Sequence, residues 1–241
     1  MEKVLSVKGI IFDYGGTLDT NGEHWSEVLW KAYQEVGVPV SKETFREAYV
    51  YGERALALHP YIKPEHNFRD VLRIKVRIQL DYLKEKNYIR PESVAAECSE
   101  RIADICYQSV LNVIQISRNV VERLNEKHKL ILVSNFYGNI QTVLNDFGLF
   151  CFFERIIESS VVGVRKPDPA IYQLGVEAMG YAPDEIAVVG DSFSKDMVPA
   201  SKVGCKTVWL RGKGWGDEQV DESLPDAVIT DIGQLLQVIC C

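Results

Sequence analysis

The sequence predicts an α/β fold: a doubly wound parallel sheet with a block of helices inserted after its first strand. Three observations carry this. Short apolar runs at 9–12, 129–133, 155–158, 186–189 and 206–210 alternate with stretches of helical periodicity, the pattern of successive βαβ units. Three of these runs end on Asp13, Ser134 and Asp191, polar groups at strand ends where open α/β sheets bind their ligands. Residues 21–114 hold no strand candidate and are long enough for a small helical bundle, so they read as an insertion.

The bulk properties narrow the function. The 241 residues are 46% hydrophobic and 25% charged, as in a globular protein with a sizeable core. The formal net charge of -7 and the lack of a long basic run argue against nucleic acid or an anionic membrane as the main partner. A small anionic substrate held by a local positive group remains compatible. No signal peptide and no run of about 20 apolar residues is expected. Six cysteines, Cys98, Cys106, Cys151, Cys205, Cys240 and Cys241, show no CxxC or zinc spacing. They read as the buried small residues of a reducing cytosol, which predicts a cytoplasmic protein. Cys240 and Cys241 lack the spacing of a prenylation signal. The sequence leaves the oligomeric state open.

Each element has its local reason. The run 9–12 is β-favouring and stops at Asp13, after which Gly15 and Gly16 break the strand. Residues 22–36 carry Trp25, Val28, Leu29, Ala32, Tyr33 and Val36 at helical spacing, with Gly37 and Pro39 as the stop. Ser41 caps a helix over 42–58, and 59–67 with Pro60 and Pro64 is a loop. Helices follow at 68–86 and 91–113, the latter with Pro91 in its first turn, and then at 117–127. Beyond the strand 129–133, a helix over 138–147 stops at Gly148, and Asp168-Pro169 opens another. A helix over 195–203 precedes the strand at 206–210. A glycine-rich loop with Trp215, a short strand at 228–230 and a helix at 231–239 close the chain.

Four places can carry chemistry. Asp13, beside the hydroxyl of Thr17, fits a nucleophile or metal ligand on a Gly-rich turn; an ordinary Asp-x-Gly turn is the plainer alternative. Ser134-Asn135 can donate to an anion, or can simply cap the next helix. Lys166, fixed between Arg165 and Pro167, can balance a phosphoryl charge, or can be a solvated surface lysine. Asp191 and Asp196 can bind a hard cation through oxygen, or form a turn and a cap. Tyr14 should point away from Asp13 by strand alternation. Arg54, Lys63, Arg69 and Arg73 are candidate contacts to a second anionic group. His24, His59, His66 and His128 lack metal spacing.

Taken together, Asp, Ser, Lys and paired Asp occur in the order of the four motifs of the haloacid dehalogenase-like hydrolases, and the chain resembles that family over its whole length. Residues 9–20 resemble the first motif, an apolar strand followed by Asp-x-Asp-Gly-Thr-Leu. Residues 160–172 are similar to the form common in the subgroup with a helical cap. The resemblance implies a Rossmann-like core from residues 1–20 and 115–241, with an all-helical cap over 21–114. It implies a Mg²⁺-dependent phosphatase of a small phosphorylated metabolite with Asp13 as nucleophile, passing through an aspartyl phosphate. Asp13, Asp191 and the backbone carbonyl of Gly15 would hold Mg²⁺. Ser134 would bond the phosphoryl oxygens, and Lys166, held by Asp196, would neutralise charge. Thr17 and Asn135 would contact substrate.

One position departs from the pattern. Gly15 stands where the family's phosphatases carry the second Asp, which protonates the leaving group and then activates water. Asp19 is a poor substitute, since a family aspartate near there is structural. The substitution leaves three outcomes: a phosphatase with altered acid–base machinery, a hydrolase of a C–P or carbon–halogen bond, or a catalytically weak phosphate- or metal-binding regulatory protein. The Mg²⁺-binding form of the motif at Asp191 argues against a metal-free dehalogenase.

Overall fold

The computed structural model describes residues 4–90, 97–212 and 220–239. Six strands form one parallel sheet in the order β3-β2-β1-β4-β5-β6. They are β1 (Gly9–Phe12), β2 (Lys129–Ser134), β3 (Arg155–Glu158), β4 (Ile186–Gly190), β5 (Lys206–Leu210) and β6 (Ala227–Ile229). The central strand β1 pairs on one side with β2 and on the other with β4; Ile11 sits opposite Ile131 and Val188. The chain therefore reverses its direction of winding at β1. The C-terminal ends of β1, β2 and β4 open onto one crevice.

Side-chain alternation makes the sheet two-sided. Ile10, Phe12, Leu130, Leu132, Ala187 and Val189 face one apolar cluster, and Ile11, Ile131, Val133 and Val188 face another. The second face is covered by α7 (Ala170–Met179) and α8 (Val198–Val203). The first is covered by α4 (Cys98–Asn125), α5 (Ile140–Asp146) and α9 (Leu235–Val238). Before α4 come α1 (Trp25–Val36), α2 (Lys42–Leu58) and α3 (Phe68–Glu85). Their inward residues, among them Leu29, Tyr33, Phe45 and Leu72, join the same cluster as the first face of the sheet. The helical insertion thus packs onto the core without an apolar gap.

Local signals fix these helices. His24, Ser41 and Asn67 each cap a helix N-terminus with a side-chain acceptor, and Asn67 forms a capping box with Asp70. The expected helices at 91–113 and 117–127 are one helix of 28 residues from Cys98 onward; the expected start at Pro91 lies outside the described residues. No Gly or Pro falls between 98 and 125, so nothing breaks the hydrogen-bond ladder there. The Ser117 hydroxyl, in the middle of α4, donates to the carbonyl of Leu18 at 2.7 Å and ties the helix to the turn after β1.

Other differences are local. The expected helix at 195–203 begins as a wide turn over Phe193–Met197 before α8, and that at 231–239 begins as a 3₁₀ turn over Ile232–Gln234 before α9. A short α6 (Ser159–Val162) follows β3 directly. The Trp215 loop and Cys240–Cys241 lie outside the described residues. Cys98, Cys106, Cys151 and Cys205 are free thiols. Among the described residues, no helix is long and apolar enough to cross a membrane.

Candidate active site

The turn after β1 is built by hydrogen bonds that the two glycines permit. The Asp13 N–H donates to the Val189 carbonyl at 2.9 Å, which carries the sheet register one residue past β1. Gly16 has φ +96°, and a Cβ there would strike the Asp191 carboxylate. The Gly16 N–H donates to Asp19 Oδ1 at 2.7 Å, and Trp25 Nε1 donates to Asp19 Oδ2 at 2.9 Å. Both Asp19 oxygens are therefore committed to holding the turn, as the sequence reading of a structural aspartate expects. Burial pushes its carboxyl up to about 7, although these two hydrogen bonds oppose the shift. Tyr14 turns away from Asp13, with its ring edge-on to Phe68 and Phe136.

Lys166 joins two of the carboxylates. Its Nζ lies 2.5 Å from Asp13 Oδ1 and 2.7 Å from Asp196 Oδ1, and all three side chains are buried. Burial works against the ammonium, but Asp13 and then Asp196 outweigh it and raise the Lys166 pKa. Asp196 is fully used: Tyr172 Oη donates to Oδ1 at 2.7 Å and the Ser192 N–H to Oδ2 at 3.0 Å. Tyr172 is a positioning residue that sequence reading missed. Its spacing in α7 looks like ordinary core, and only the fold brings its hydroxyl to Asp196.

The remaining residues gather at the same strand ends. Thr17 Oγ1 lies 3.4 Å from Asp13 Oδ2 and 3.3 Å from Asp191 Oδ1, and accepts from the Asp191 N–H at 3.1 Å. Trp209 Nε1 donates to the Asp191 carbonyl at 2.9 Å. Asn135 pairs with the backbone of Lys166 through both ends of its amide. The side chains of Thr17 and Asn135, expected to contact substrate, thus spend their hydrogen bonds on Asp13, Asp191 and Lys166. Ser134 ends β2 and lines the cleft, with no protein partner for its hydroxyl among the described residues.

The charge balance fits a divalent cation. Asp13, Asp191 and Asp196 each place an oxygen within 4.8 Å of the others, against the single ammonium of Lys166. Burial, and then the charge of Asp196, raises Asp13 to about 6 although Lys166 opposes this. Burial and then Asp13 raise Asp191 well above the carboxylate range. Three packed carboxylates with one cation leave surplus negative charge, which a hard oxygen-seeking ion neutralises. Asp196 is already occupied by Lys166, Tyr172 and Ser192, so Asp13 and Asp191 are the side chains that could hold such an ion.

A cleft of about 1670 Å³ opens over these groups between the sheet and the helical insertion. Gly15 lines it, and a Cβ placed on Gly15 would meet no atom within 4 Å. The insertion contributes Glu53 and Lys75 to the cleft lining. Of the four cations expected to face substrate, Arg54 lines the cleft, Lys63 is exposed and is not part of its lining, and Arg69 and Arg73 pair with Asp104 and Glu100 at 2.6 Å each. Lys75 was legible in principle: it sits on the apolar stripe of α3 between Leu72 and Val76, where an unpaired lysine would be costly.

Comparison with known proteins agrees with this geometry. The family model described as haloacid dehalogenase-like hydrolase matches residues 7–204. The chain is 27% identical over 245 residues to the phosphoglycolate phosphatase of Vibrio cholerae, covering 97% of each protein. It is 36% identical over 89 residues to the glyceraldehyde 3-phosphate phosphatase of Pyrococcus furiosus, covering 36% of this chain and 37% of that protein. The chain spans about two fifths of the length of several curated relatives it matches. The fold resembles the HAD-hydrolase YfnB of Bacillus subtilis bound to magnesium, with a TM-score of 0.59 at 16% identity, covering 96% and 98% of the two chains. With its parallel sheet, helical insertion and buried Asp–Lys–Asp site, and a family match spanning most of its length, the chain belongs to the haloacid dehalogenase-like hydrolases.

Proposed function

We propose that this hydrolase is a phosphatase of small phosphorylated metabolites, with Asp13 as nucleophile and residues 21–114 acting as a cap over residues 1–20 and 115–241. The observation that carries this is the Lys166 ammonium 2.5 Å from Asp13, beside the surplus negative charge of Asp191. An anionic nucleophile meets an anionic phosphate only where positive charge offsets the repulsion. Asp13, Asp191 and the Gly15 carbonyl suit Mg²⁺, which when bound would supply charge neutralisation at the phosphoryl oxygens. The phosphatase names of the relatives support the substrate class.

The residues divide the work. An Asp13 carboxylate oxygen attacks phosphorus, the bond to the leaving oxygen breaks, and the alkoxide takes a proton from solvent water. Ser134 and Lys166 bind the phosphoryl oxygens, while Asn135 and Asp196 fix Lys166. Water then attacks the aspartyl phosphate, releasing inorganic phosphate and restoring Asp13. Gly15 supplies no proton to the alkoxide and no base to the water. Loss of such a group typically costs about 10²–10⁴ in rate. The reaction therefore favours leaving groups that need no acid.

The empty space at Gly15 also favours a second reading, a phosphate-binding protein with little turnover. Hydrolysis of p-nitrophenyl phosphate with and without Mg²⁺, beside Asp13→Asn, separates the two. Mg²⁺-dependent turnover abolished by Asp13→Asn supports the phosphatase. A protein that binds phosphate, never traps an aspartyl phosphate and turns nothing over supports the second reading.

A further inference from the structure

The lining of the cleft contains a built polar cluster that the hydrolytic steps do not use. Lys75, on α3, is buried, and its Nζ lies 2.7 Å from Glu53 Oε1. The ammonium also stands 5.8 Å from the Trp25 ring and 5.6 Å from the Tyr137 ring. Tyr137 Oη donates to Glu53 Oε2 at 3.2 Å. Glu53 is the more open partner: about a third of its side chain is exposed, against 8% for Lys75. Both line the cleft that holds Asp13 and Asp191. The buried Tyr49 lines the same cleft.

Such a cluster has no evident value for stability, because a buried ion pair often breaks even against apolar packing. Its chemistry is that of a fixed carboxylate. Lys75 offsets the Glu53 charge from behind, and Arg54 also lines the cleft. At Glu53 itself an approaching carboxylate would meet another carboxylate, whereas an approaching donor would find an acceptor already oriented.

We propose that Glu53, positioned by Lys75 and Tyr137, determines specificity by accepting a hydrogen bond from a hydroxyl or ammonium group on the leaving alcohol, and disfavours leaving groups that end in a carboxylate. This rests on the phosphatase reading for the placement of the phosphoryl group at Asp13. It sets the chain apart from a relative named for phosphoglycolate, whose leaving alcohol carries a carboxylate.

The test uses the full chain carrying Asp13→Asn, with Mg²⁺ present, titrated calorimetrically with phosphoethanolamine, glycerol 3-phosphate and 2-phosphoglycolate. The first two ligands separate ammonium from hydroxyl. Either or both should bind at least about tenfold more tightly than phosphoglycolate. Adding Glu53→Gln should bring that ratio within about threefold of one. General damage to the fold would weaken all three ligands alike and leave the ratio in place. If Glu53→Gln does not fold, Tyr137→Phe, which removes one hydroxyl, should lower the same ratio. Tighter binding of phosphoglycolate, a ratio unmoved by the substitutions, or no binding of any ligand overturns the assignment. Aryl phosphate turnover by the unmodified protein is read separately. A failed ratio with working turnover sinks the Glu53 assignment alone, and the expected ratio without turnover sinks the phosphatase reading alone.

Discussion

Asn135 and Lys166 exchange two hydrogen bonds: Asn135 Nδ2 donates to the Lys166 carbonyl at 3.0 Å, and the Lys166 N–H donates to Asn135 Oδ1 at 2.9 Å. This pair couples the end of β2 to the segment before α7 and aims the ammonium at Asp13. Asn135→Ala should lower kcat by roughly 10–100-fold through misplacement of Lys166. KM for the phosphoester should change less. Steady-state kinetics on p-nitrophenyl phosphate reads both, and an unchanged kcat would remove Asn135 from the positioning of the site.

Gly15 leaves room for the carboxylate it lacks, since no atom lies within 4 Å of the place a Cβ would take and its φ is not positive. Gly15→Asp should therefore fold with little change in Tm. It should speed hydrolysis of alkyl phosphates, which need an acid, by up to about 10²-fold, and aryl phosphates far less. A plot of log kcat/KM against leaving-group pKa should be steep for the natural protein and flatter for the variant. Parallel plots would show that position 15 does not govern protonation.

Gly16 has the opposite constraint. At φ +96° an L residue is strained, by about 1–2 kcal/mol, and a Cβ would press on Asp191. Gly16→Ala should lower stability by at least that amount in a denaturant titration and should weaken Mg²⁺ binding. Full Mg²⁺ affinity in a folded Gly16→Ala protein would exclude Asp191 as a ligand.

The pH response follows from the same carboxylates. Burial raises Asp13 to about 6 and Asp19 to about 7, and burial with Asp13 raises Asp191 well above its ordinary range. An unfolded aspartate titrates near about 3.9. Between these values the folded chain binds more protons than the unfolded one, so stability falls as pH rises. The stability from neutral carboxyls is fully present below about 3.9 and is lost as pH passes about 6 and about 7. Without metal, Tm should decline from pH 5 to pH 7.5 as far as these groups set it. Mg²⁺, which favours the ionised carboxylates, should raise Tm more at pH 7.5 than at pH 5. Differential scanning fluorimetry across this range checks both, and an equal Mg²⁺ shift at the two pH values would place the ion elsewhere.

Asp191→Asn gives the complementary measurement. It removes one of the carboxylates that burial and mutual repulsion have raised, so the metal-free protein should gain Tm at pH 7.5 while Mg²⁺ no longer raises it. A variant that keeps the full Mg²⁺ response would assign the ion to other groups.

The order of strands and helices, the parallel sheet and the strand-end positions of Asp13, Ser134 and Asp191 were legible in the sequence. Local chemistry writes these features: apolar runs of strand length, breakers after them, and caps before helices. The continuity of α4 through Gln115 was missed because a gap in apolar periodicity resembles a boundary, whereas a helix is broken by Pro, which removes a hydrogen bond, or weakened by Gly, which costs backbone entropy. Lys75 stood out only as a charge on the apolar stripe of α3, and Tyr172, Glu53 and Tyr137 gave no signal by spacing, because each is brought to its partner by a distant part of the chain. The sequence by itself determined which elements form and that glycine occupies position 15. The tertiary structure alone decided that Lys166 reaches both Asp13 and Asp196, that Asn135 and Asp19 hold the protein frame, and that Glu53 lines the same cleft as Asp13. Propensity acts within a few residues, while burial and charge pairing depend on which distant side chains the fold removes from water together.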